Sequence, residues 1–283
     1  MQAQDGLPSL KEAQVIENAV AVPMQKGGTG KTTTAVNVAT AAARAGKKVR
    51  IVDMDPQGSI ALYFKHLLAN RPPIRQTMYN LLIEGQPIEP IRLTKLISFL
   101  PANNDLAAAN QLFTILPTTK EAPNKVLARY LSLYAADVDL LIIDCPPSLE
   151  PLTINCLVAA RRVIIPVSCQ EMAEDALPNI LRTIKSVRKA NELGSNPQLE
   201  ITCILPTQYN TRGSSSPEIL QNIKDEYGKD YPIYPHPVLW REAYQKSVKQ
   251  SRDVGAIDGE LGVYWDQFTR DMIFQESRDT NHE

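Results

Sequence analysis

The stretch AVAVPMQKGGTGKTTTAVNVATAAARAGKKVRIVDMDPQGS, residues 19–59, decides the fold class. The apolar segment 19–23 predicts a β-strand, and the alanine-rich segment 31–45 predicts an α-helix that ends at Gly46. Val49–Asp53 is again apolar and predicts a second strand. The stretch therefore predicts a strand–loop–helix–strand unit, with a glycine-rich loop between the first strand and the helix.

This loop resembles a phosphate-binding loop but departs from the usual pattern at its start. Gly30, Lys31 and Thr32 supply the end of the pattern G-x-x-x-x-G-K-[ST]. Gln25 occupies the position of the first glycine, and an additional lysine, Lys26, follows it. The loop thus carries two lysines, and each needs a separate explanation.

Further apolar segments predict more strands of the same sheet. Leu140–Asp144, residues 163–167 and residues 201–205 are apolar at nearly every position, which is typical of strands covered on both faces. Ile97–Leu100 predicts another strand within the less legible region 57–135. Because strands alternate with helical segments, we predict an α/β fold, a doubly wound and mostly parallel sheet flanked by helices.

Length and composition limit the function classes. The 283 residues fit one large α/β domain or two small ones, and we predict a single domain over 1–283 with a short N-terminal arm at about 1–14. The net charge of −1 excludes a general polycation, so nucleic-acid binding needs a local basic patch. Four cysteines without a C-x-x-C pair predict free thiols in a reducing compartment. The polar N-terminus and the absence of a long apolar run lead us to expect a soluble cytoplasmic protein.

The chemistry of the loop follows from its residue types. Glycines 27, 28 and 30 allow a tight turn whose N–H groups point at phosphate oxygens, and the helix that follows adds the positive end of its dipole. Lys31 is expected to reach the β- and γ-phosphates of a nucleotide. The hydroxyl of Thr32 is expected to bind Mg²⁺.

Four segments together resemble the ParA/MinD superfamily of deviant Walker A ATPases. KGGTGKTTT matches the family loop K-G-G-x-G-K-[ST], and DMDPQGS resembles D-x-D-P-Q-G-N, with Ser59 in place of the usual asparagine. LLIIDCPPS is similar to the Walker B strand and its following loop, and LPTQYNTR to the stretch after a later strand. The resemblance covers most of the chain and implies ATP and Mg²⁺ as cofactors.

The resemblance also implies residue roles. Lys26 would cross a homodimer interface and contact the nucleotide of the other subunit, while Asp55 would orient the attacking water. Asp144 would hold the Mg²⁺ shell, Asp53 would support it, and the loop at Pro146 would sense the γ-phosphate. The predicted catalytic residues are Asp55, Lys26 and Lys31. The predicted nucleotide-binding residues are Lys26, Gly27, Gly28, Thr29, Gly30, Lys31, Thr32, Thr33, Asp144 and Pro146. The predicted metal-binding residues are Thr32, Asp55 and Asp144.

A ParA-like member implies nonspecific DNA and a cargo-bound adaptor protein as partners. The predicted DNA contacts are Arg212, Arg241, Lys246 and Lys249. The cations of residues 182–189 are either a second basic face or a solvated helix surface. His236 stands where such proteins often carry a DNA-contacting arginine, which puts that contact in doubt.

Three alternatives stay open from the sequence. A MinD-like membrane switch would need a basic amphipathic C-terminus, but this C-terminal stretch is acidic and polar. A small-molecule ATP-dependent enzyme shares the fold, although Lys26 and the DPQG segment count against it. A nucleotide sensor without any transport role is the third alternative. The preferred hypothesis is a partition or positioning ATPase for a plasmid, a chromosome or a protein organelle such as a carboxysome.

Overall fold

Seven strands form one sheet in the computed structural model, which describes residues 13–115, 123–170, 176–189 and 194–274. The strand order is β3-β4-β2-β5-β1-β6-β7. The strands are β1 (Ile16–Val22), β2 (Val49–Asp53), β3 (Ile91–Arg92), β4 (Ile97–Leu100), β5 (Leu140–Asp144), β6 (Ala160–Ser168) and β7 (Glu200–Thr207). The predicted arm lies almost wholly outside the described residues, because the description begins at residue 13.

The pairing of the strands is parallel except at one edge. Strand β1 pairs in parallel with β5 and β6, β2 with β4 and β5, and β6 with β7. The two-residue strand β3 pairs antiparallel with β4. This arrangement confirms the predicted mostly parallel α/β sheet, and all six segments predicted as strands are strands. The sequence did not predict β3, because two residues carry no periodicity.

Helices cover both faces of the sheet. They are α1 (Lys31–Arg44), α2 (Ile60–Tyr63), α3 (Lys65–Leu68), α4 (Met78–Leu82), α5 (Ala108–Ile115), α6 (Val126–Ala135), α7 (Pro151–Ala159), α8 (Ala176–Val187), α9 (Ser215–Tyr227), α10 (Glu242–Gln250) and α11 (Gly259–Met272). Helix α1 lies with α10 and α11 on one face, and α4 to α9 supply the other face.

Alternation along the strands explains the two layers. In β5, Leu140 and Ile142 belong to the core beneath α1 and α11, whereas Leu141 and Ile143 belong to the opposite core. Successive side chains of a strand point to opposite faces, so a strand that is apolar at every position needs cover on both. Because these strands are parallel, the carboxyl ends of β1, β2, β5 and β7 lie at the same edge of the sheet.

Helix α11 provides a test of this core. Phe268 is fully buried there and packs edge-to-face on Tyr234, with ring centroids 4.8 Å apart. We expect Phe268→Ala to lower the free energy of unfolding by about 3–5 kcal/mol, because the substitution removes a buried ring and leaves a cavity. Urea unfolding followed by circular dichroism measures the loss.

Val263 on the same helix is the matched control, since its side chain is 67% exposed. Val263→Ala should change the stability by no more than about 0.5 kcal/mol. Equal losses for the two variants would contradict the assignment of α11 to the core.

Candidate functional site

The phosphate-binding loop lies between the end of β1 and the start of α1. Gly28 and Gly30 adopt left-handed backbone conformations, with φ of 75° and 93°. Gly30 is the N-cap of α1, and its carbonyl accepts the first helical hydrogen bond from the Thr34 N–H at 2.8 Å. A side chain at either glycine would be strained, so the glycines are required by the turn that opens the helix.

The end of β7 supports this loop. The Thr207 hydroxyl donates to the Thr29 carbonyl at 2.8 Å, and the Gln208 side-chain amide donates to the Gly28 carbonyl. Gln208 itself has a left-handed backbone, with φ of 55°, and its amide oxygen accepts from the Ser168 hydroxyl at 2.6 Å. These bonds fix the loop to the ends of β6 and β7. Thr207 and Gln208 belong to the LPTQYNTR stretch of the family resemblance, which predicts no role for either residue.

The two lysines of the loop have different environments. Lys31 is only 6% exposed, and its ammonium group donates to the Lys26 carbonyl at 3.1 Å. Burial lowers the pKa of Lys31, while the nearby carboxylates of Asp144 and Asp55 oppose this change. The side chain of Lys26 is half-buried at the rim of the loop. One lysine therefore points into the protein and the other lies near its surface.

Lys31 lies near the carboxylates of Asp144 and Asp55, and a third acid, Asp53, interacts with both of these carboxylates. Asp53 and Asp144 are register partners at the ends of β2 and β5. Burial, together with the Asp144 carboxylate, raises the pKa of Asp53 well above its usual value. Burial raises the pKa of Asp144 to about 7, while the Thr32 hydroxyl and the Lys31 ammonium lower it. Burial of these two carboxyl groups is therefore the main cause of their raised pKa values.

Asp53 and Asp55 also shape the backbone between β2 and α2. Asp53 accepts hydrogen bonds from the backbone N–H groups of Asp55 at 3.1 Å and Ile60 at 3.4 Å. The Asp55 carboxylate accepts from the Gln57 N–H at 3.0 Å, so it forms a local turn. Asp55 nevertheless remains 8% exposed and borders the cavity beside the loop. The turn and a role in that cavity are compatible, because the carboxylate has a second oxygen.

The acid cluster fits a magnesium ion. Both carboxylate oxygens of Asp144 are buried without a hydrogen-bond partner of normal geometry among the described residues, and such a group is costly unless something compensates it. Within the same described ranges, no three His, Cys, Asp or Glu side chains are arranged to hold a metal by themselves. Mg²⁺ is commonly held by one or two carboxylates, a hydroxyl and substrate phosphates, which matches Asp144 and Thr32 beside a phosphate loop.

A cavity of about 440 Å³ opens beside the loop. Its lining includes the predicted residues Gly27, Gly28, Gly30, Lys31, Thr32, Thr33 and Asp55. Thr29, Asp144 and Pro146 are buried behind this surface, and Pro147 lines the cavity instead of Pro146. The hydroxyl of Thr33 is hydrogen-bonded to the Tyr63 hydroxyl at 2.9 Å. The lining residues that sequence reasoning missed are Thr34, Gln57, Ser59, Thr207, Gln208, Val238, Leu239, Trp240, Tyr244, Gln245 and Trp265.

A second cleft of about 760 Å³ brings together three of the four predicted DNA contacts, Arg212, Arg241 and Lys246. It shares Leu239, Trp240 and Arg241 with the cavity beside the phosphate loop, so the two openings have a common wall. The Trp240 side chain is 51% exposed on this wall. The fourth predicted contact, Lys249, is exposed near the end of α10 and does not line the cleft.

The cations of this cleft are largely neutralised by acids. Arg241 forms ion pairs with Asp258 at 3.2 Å and Glu260 at 2.7 Å, and Lys246 pairs with Glu242 at 3.6 Å. Arg212 has no ion pair with any described residue. The structure therefore gathers the predicted basic residues but does not make the cleft strongly positive.

Other features predicted from the sequence have clear positions. Arg182, Lys185, Arg188 and Lys189 are exposed on or just after α8, and none has an ion pair within the described part of the chain. The His236 carbonyl accepts a hydrogen bond from the Tyr264 hydroxyl at 2.8 Å. All four cysteines are free and buried, as predicted. Across the described ranges, no helix has the length and apolar character required to cross a bilayer.

Comparison with known proteins agrees with the site. A family model described as "AAA domain" matches residues 17–201. The chain is 35% identical over 213 residues to the chromosome partitioning protein ParA of Myxococcus xanthus, covering 74% of this chain and 71% of that protein. It is 35% identical over 237 residues to the chromosome-partitioning ATPase Soj of Thermus thermophilus, covering 82% and 87% respectively.

A solved structure resembles the chain over most of its length. Cobyrinic acid a,c-diamide synthase from Mycobacterium smegmatis, with a bound ATP analog and magnesium, is 30% identical and gives a TM-score of 0.71. The alignment covers 90% of this chain and 93% of that one. The matched relatives, the two-lysine loop and the acid cluster agree, and the chain belongs to the ParA/MinD superfamily of P-loop ATPases, among the relatives of the ParA and Soj partition proteins.

Proposed function

We propose that the chain is a positioning ATPase of the ParA type, which dimerises on ATP, binds DNA without sequence preference and is released when a cargo-bound adaptor stimulates hydrolysis. The observation that carries the proposal is the pair of loop lysines, with Lys31 buried near Asp144 and Asp55 and Lys26 half-buried. This arrangement supports one nucleotide within each subunit and a second, less buried lysine that would meet the partner subunit. In this proposal the protein works in the cytoplasm on the nucleoid.

The nucleotide would occupy the cavity beside the loop, with its phosphates on the loop N–H groups and on the ammonium of Lys31. When bound, Mg²⁺ would neutralise phosphate charge, with Thr32 and Asp144 as its protein-side partners. The phosphates would also give Lys31 a partner stronger than the loop carbonyl that now accepts its hydrogen bond. The wall formed by Leu239 and Trp240 would face the remainder of the nucleotide.

Lys26 would act on the nucleotide of the partner subunit. Two triphosphates enclosed between two copies concentrate negative charge in a partly dry interface, where a cation contributes much more than it does in water. A two-fold axis would give each site the lysine that the other supplies. The half-buried position of Lys26 at the rim supports this role, whereas Lys31 is too enclosed to leave its own subunit.

Asp55 would position the attacking water. Phosphoryl transfer depends mainly on positioning and on charge neutralisation, so one acid near the γ-phosphate is sufficient. Asp55 borders the cavity, and its turn with Gln57 fixes the direction of the carboxylate. Asp53 is fully buried and already accepts two backbone hydrogen bonds, which favours a supporting role for it.

The common wall would connect the nucleotide site with the proposed DNA contacts. Leu239, Trp240 and Arg241 contact both the nucleotide cavity and the cleft that holds Arg212 and Lys246. A nucleotide that displaces this wall would also change the cleft, because the same three residues line both openings. Arg212, Arg241, Lys246 and Lys249 remain proposed DNA contacts on this basis.

A small-molecule enzyme is the second candidate, since a similar solved structure is a cobyrinic acid a,c-diamide synthase. Such an enzyme would turn over without DNA. ATPase activity that is unaffected by duplex DNA and a cognate adaptor, together with no ATP-dependent retention on DNA, would favour this candidate. The MinD-like alternative predicts that the protein sediments with anionic liposomes in the presence of ATP, and a co-sedimentation assay tests it.

Replacing each of the two lysines should impair a different step, nucleotide binding for Lys31 and dimerisation for Lys26. Lys31→Ala should abolish nucleotide binding, because it removes the buried cation from the phosphate site. Lys26→Ala should retain binding within a few-fold but lose the ATP-dependent dimer. Fluorescent ATP-analog titration measures the binding, and light scattering coupled to size exclusion measures the mass with Mg²⁺ and a non-hydrolysable ATP analog.

Lys48→Ala is the matched control, because Lys48 is an exposed lysine outside the predicted site. It should bind and dimerise like the unaltered protein. A Lys26→Ala protein that still dimerises would remove the proposed role of that lysine. An unaltered protein that stays monomeric with the analog would remove the positioning model.

Asp55 should be required for hydrolysis but not for binding. We expect Asp55→Ala to lower the ATPase rate at least about 100-fold, a size typical of losing an essential positioning group. The ATP dimer should then persist on DNA, and retention on a DNA-coated surface after removal of free ATP measures this. Asp139→Ala on the exposed segment before β5 is the control. Normal hydrolysis by Asp55→Ala would show that the catalytic assignment is wrong.

A further inference from the structure

A groove lined by Arg71, Arg75 and Arg92 lies at the β3 edge of the sheet and has a volume of about 860 Å³. We call it the edge groove. The three arginine side chains are exposed, and none forms an ion pair with a described residue. Glu89 is the acid among the lining residues, so the lining carries an excess of two positive charges. The edge groove is separate from the nucleotide cavity and from the cleft beside it.

The edge groove has a backbone that is restricted by proline. Pro72 and Pro73 follow Arg71 directly, and Pro90, which also lines the groove, lies between Glu89 and β3. Proline fixes φ near −65°, so less conformational entropy is lost when a ligand orders these segments. The Arg71 side chain is further oriented by a hydrogen bond from its Nε to the Leu67 carbonyl at 3.0 Å.

Charge balance distinguishes the edge groove from the cleft of Arg241 and Lys246. In that cleft the two cations are already paired with Asp258, Glu260 and Glu242, so a phosphate would have to compete with carboxylates. In the edge groove none of the three guanidinium groups forms an ion pair with a described carboxylate, although Glu89 is in the lining. Arginine presents a planar set of donors that matches phosphate geometry and is weakly hydrated, which makes unpaired arginines effective phosphate contacts.

We propose that the edge groove binds the sugar–phosphate backbone of duplex DNA. This inference rests on the proposed function, which requires a DNA surface on a chain whose net charge is only −1. Lys65 and Lys95, each three positions from a lining residue (Leu68 and Arg92), are exposed as well. The contact is to phosphate and not to bases, so it gives affinity without sequence preference.

The test compares two triple variants of the full chain in the presence of Mg²⁺ and a non-hydrolysable ATP analog. Arg71→Gln/Arg75→Gln/Arg92→Gln removes the edge groove cations. Arg182→Gln/Lys185→Gln/Arg188→Gln removes three exposed and unpaired cations from the region of α8. Fluorescence anisotropy with a 5′-labelled duplex of about 24 base pairs measures affinity over a salt series, a length of roughly two helical turns. Thermal melting of each variant checks the fold.

The edge groove variant should bind the duplex at least about 10-fold more weakly, and the log–log salt slope should lose about 0.9 for each contact removed. The α8 variant should bind like the unaltered protein. Unchanged affinity and slope in the edge groove variant, while the unaltered protein binds, would overturn the groove assignment alone. A loss of DNA affinity confined to the α8 variant would also overturn the groove assignment, and it would place the DNA on α8.

Two further outcomes separate the inference from the proposed function. No DNA binding by the unaltered protein in the ATP-analog state would overturn the proposed function and the groove assignment together. Poly-L-glutamate is the second probe, because an acidic peptide presents the same charge. Poly-L-glutamate and unlabelled duplex are compared as competitors that displace the labelled duplex from the unaltered protein. If poly-L-glutamate does so at a lower charge concentration than unlabelled duplex, the groove is assigned to an acidic protein and the DNA proposal is overturned.

Discussion

The structure of the site depends on burying the Lys31 ammonium group next to the carboxylates at the ends of β2 and β5. An ammonium group that is 6% exposed is unfavourable unless opposite charge and hydrogen bonds compensate its lost hydration. Asp144 and Asp55 supply the charge, and the Lys26 carbonyl accepts a hydrogen bond. Burial, with a smaller contribution from neighbouring carboxylates, raises the pKa values of Asp53 and Asp144. The site is thus arranged for a cation and a polyphosphate together.

Sheet topology is what brings these groups together. Strand β5 lies between β1 and β2, so the phosphate loop, Asp53 and Asp144 all emerge from adjacent strands at one edge. Strand β7 is two positions away from β1, yet Thr207 and Gln208 at its end reach the loop through hydrogen bonds. The left-handed backbone conformation of Gln208 is unfavourable for a residue with a side chain. Because its side chain also bonds Ser168, the ends of β6 and β7 and the loop form one connected support.

The sequence predicted those parts of the fold that leave a continuous local pattern. The strands that are apolar at every position, helix α1 and the glycine-rich loop were predicted because burial on both faces and left-handed turns restrict residue choice. Strand β3 and helices α2 and α3 are two to four residues long, too short for a periodic signal. The cavity wall at Leu239 and Trp240 could not be predicted, since it is close to the phosphate loop only in three dimensions. The ion pairs of Arg241 could not be predicted for the same reason, because its partners Asp258 and Glu260 are 17 and 19 positions away along the chain.

Charge pairing changes how basic residues should be interpreted on a nearly neutral protein. Arg241 and Lys246 look like DNA contacts in the sequence, but their carboxylate partners mean that phosphate binding there is an exchange of ion pairs and not a simple gain. Such an exchange contributes little net affinity, and it would take place beside the wall that the cleft shares with the nucleotide cavity. The unpaired arginines of the edge groove have the opposite character, since their contribution does not depend on breaking an existing pair. A protein with both surfaces would draw its DNA affinity mainly from the groove and its dependence on nucleotide mainly from the cleft.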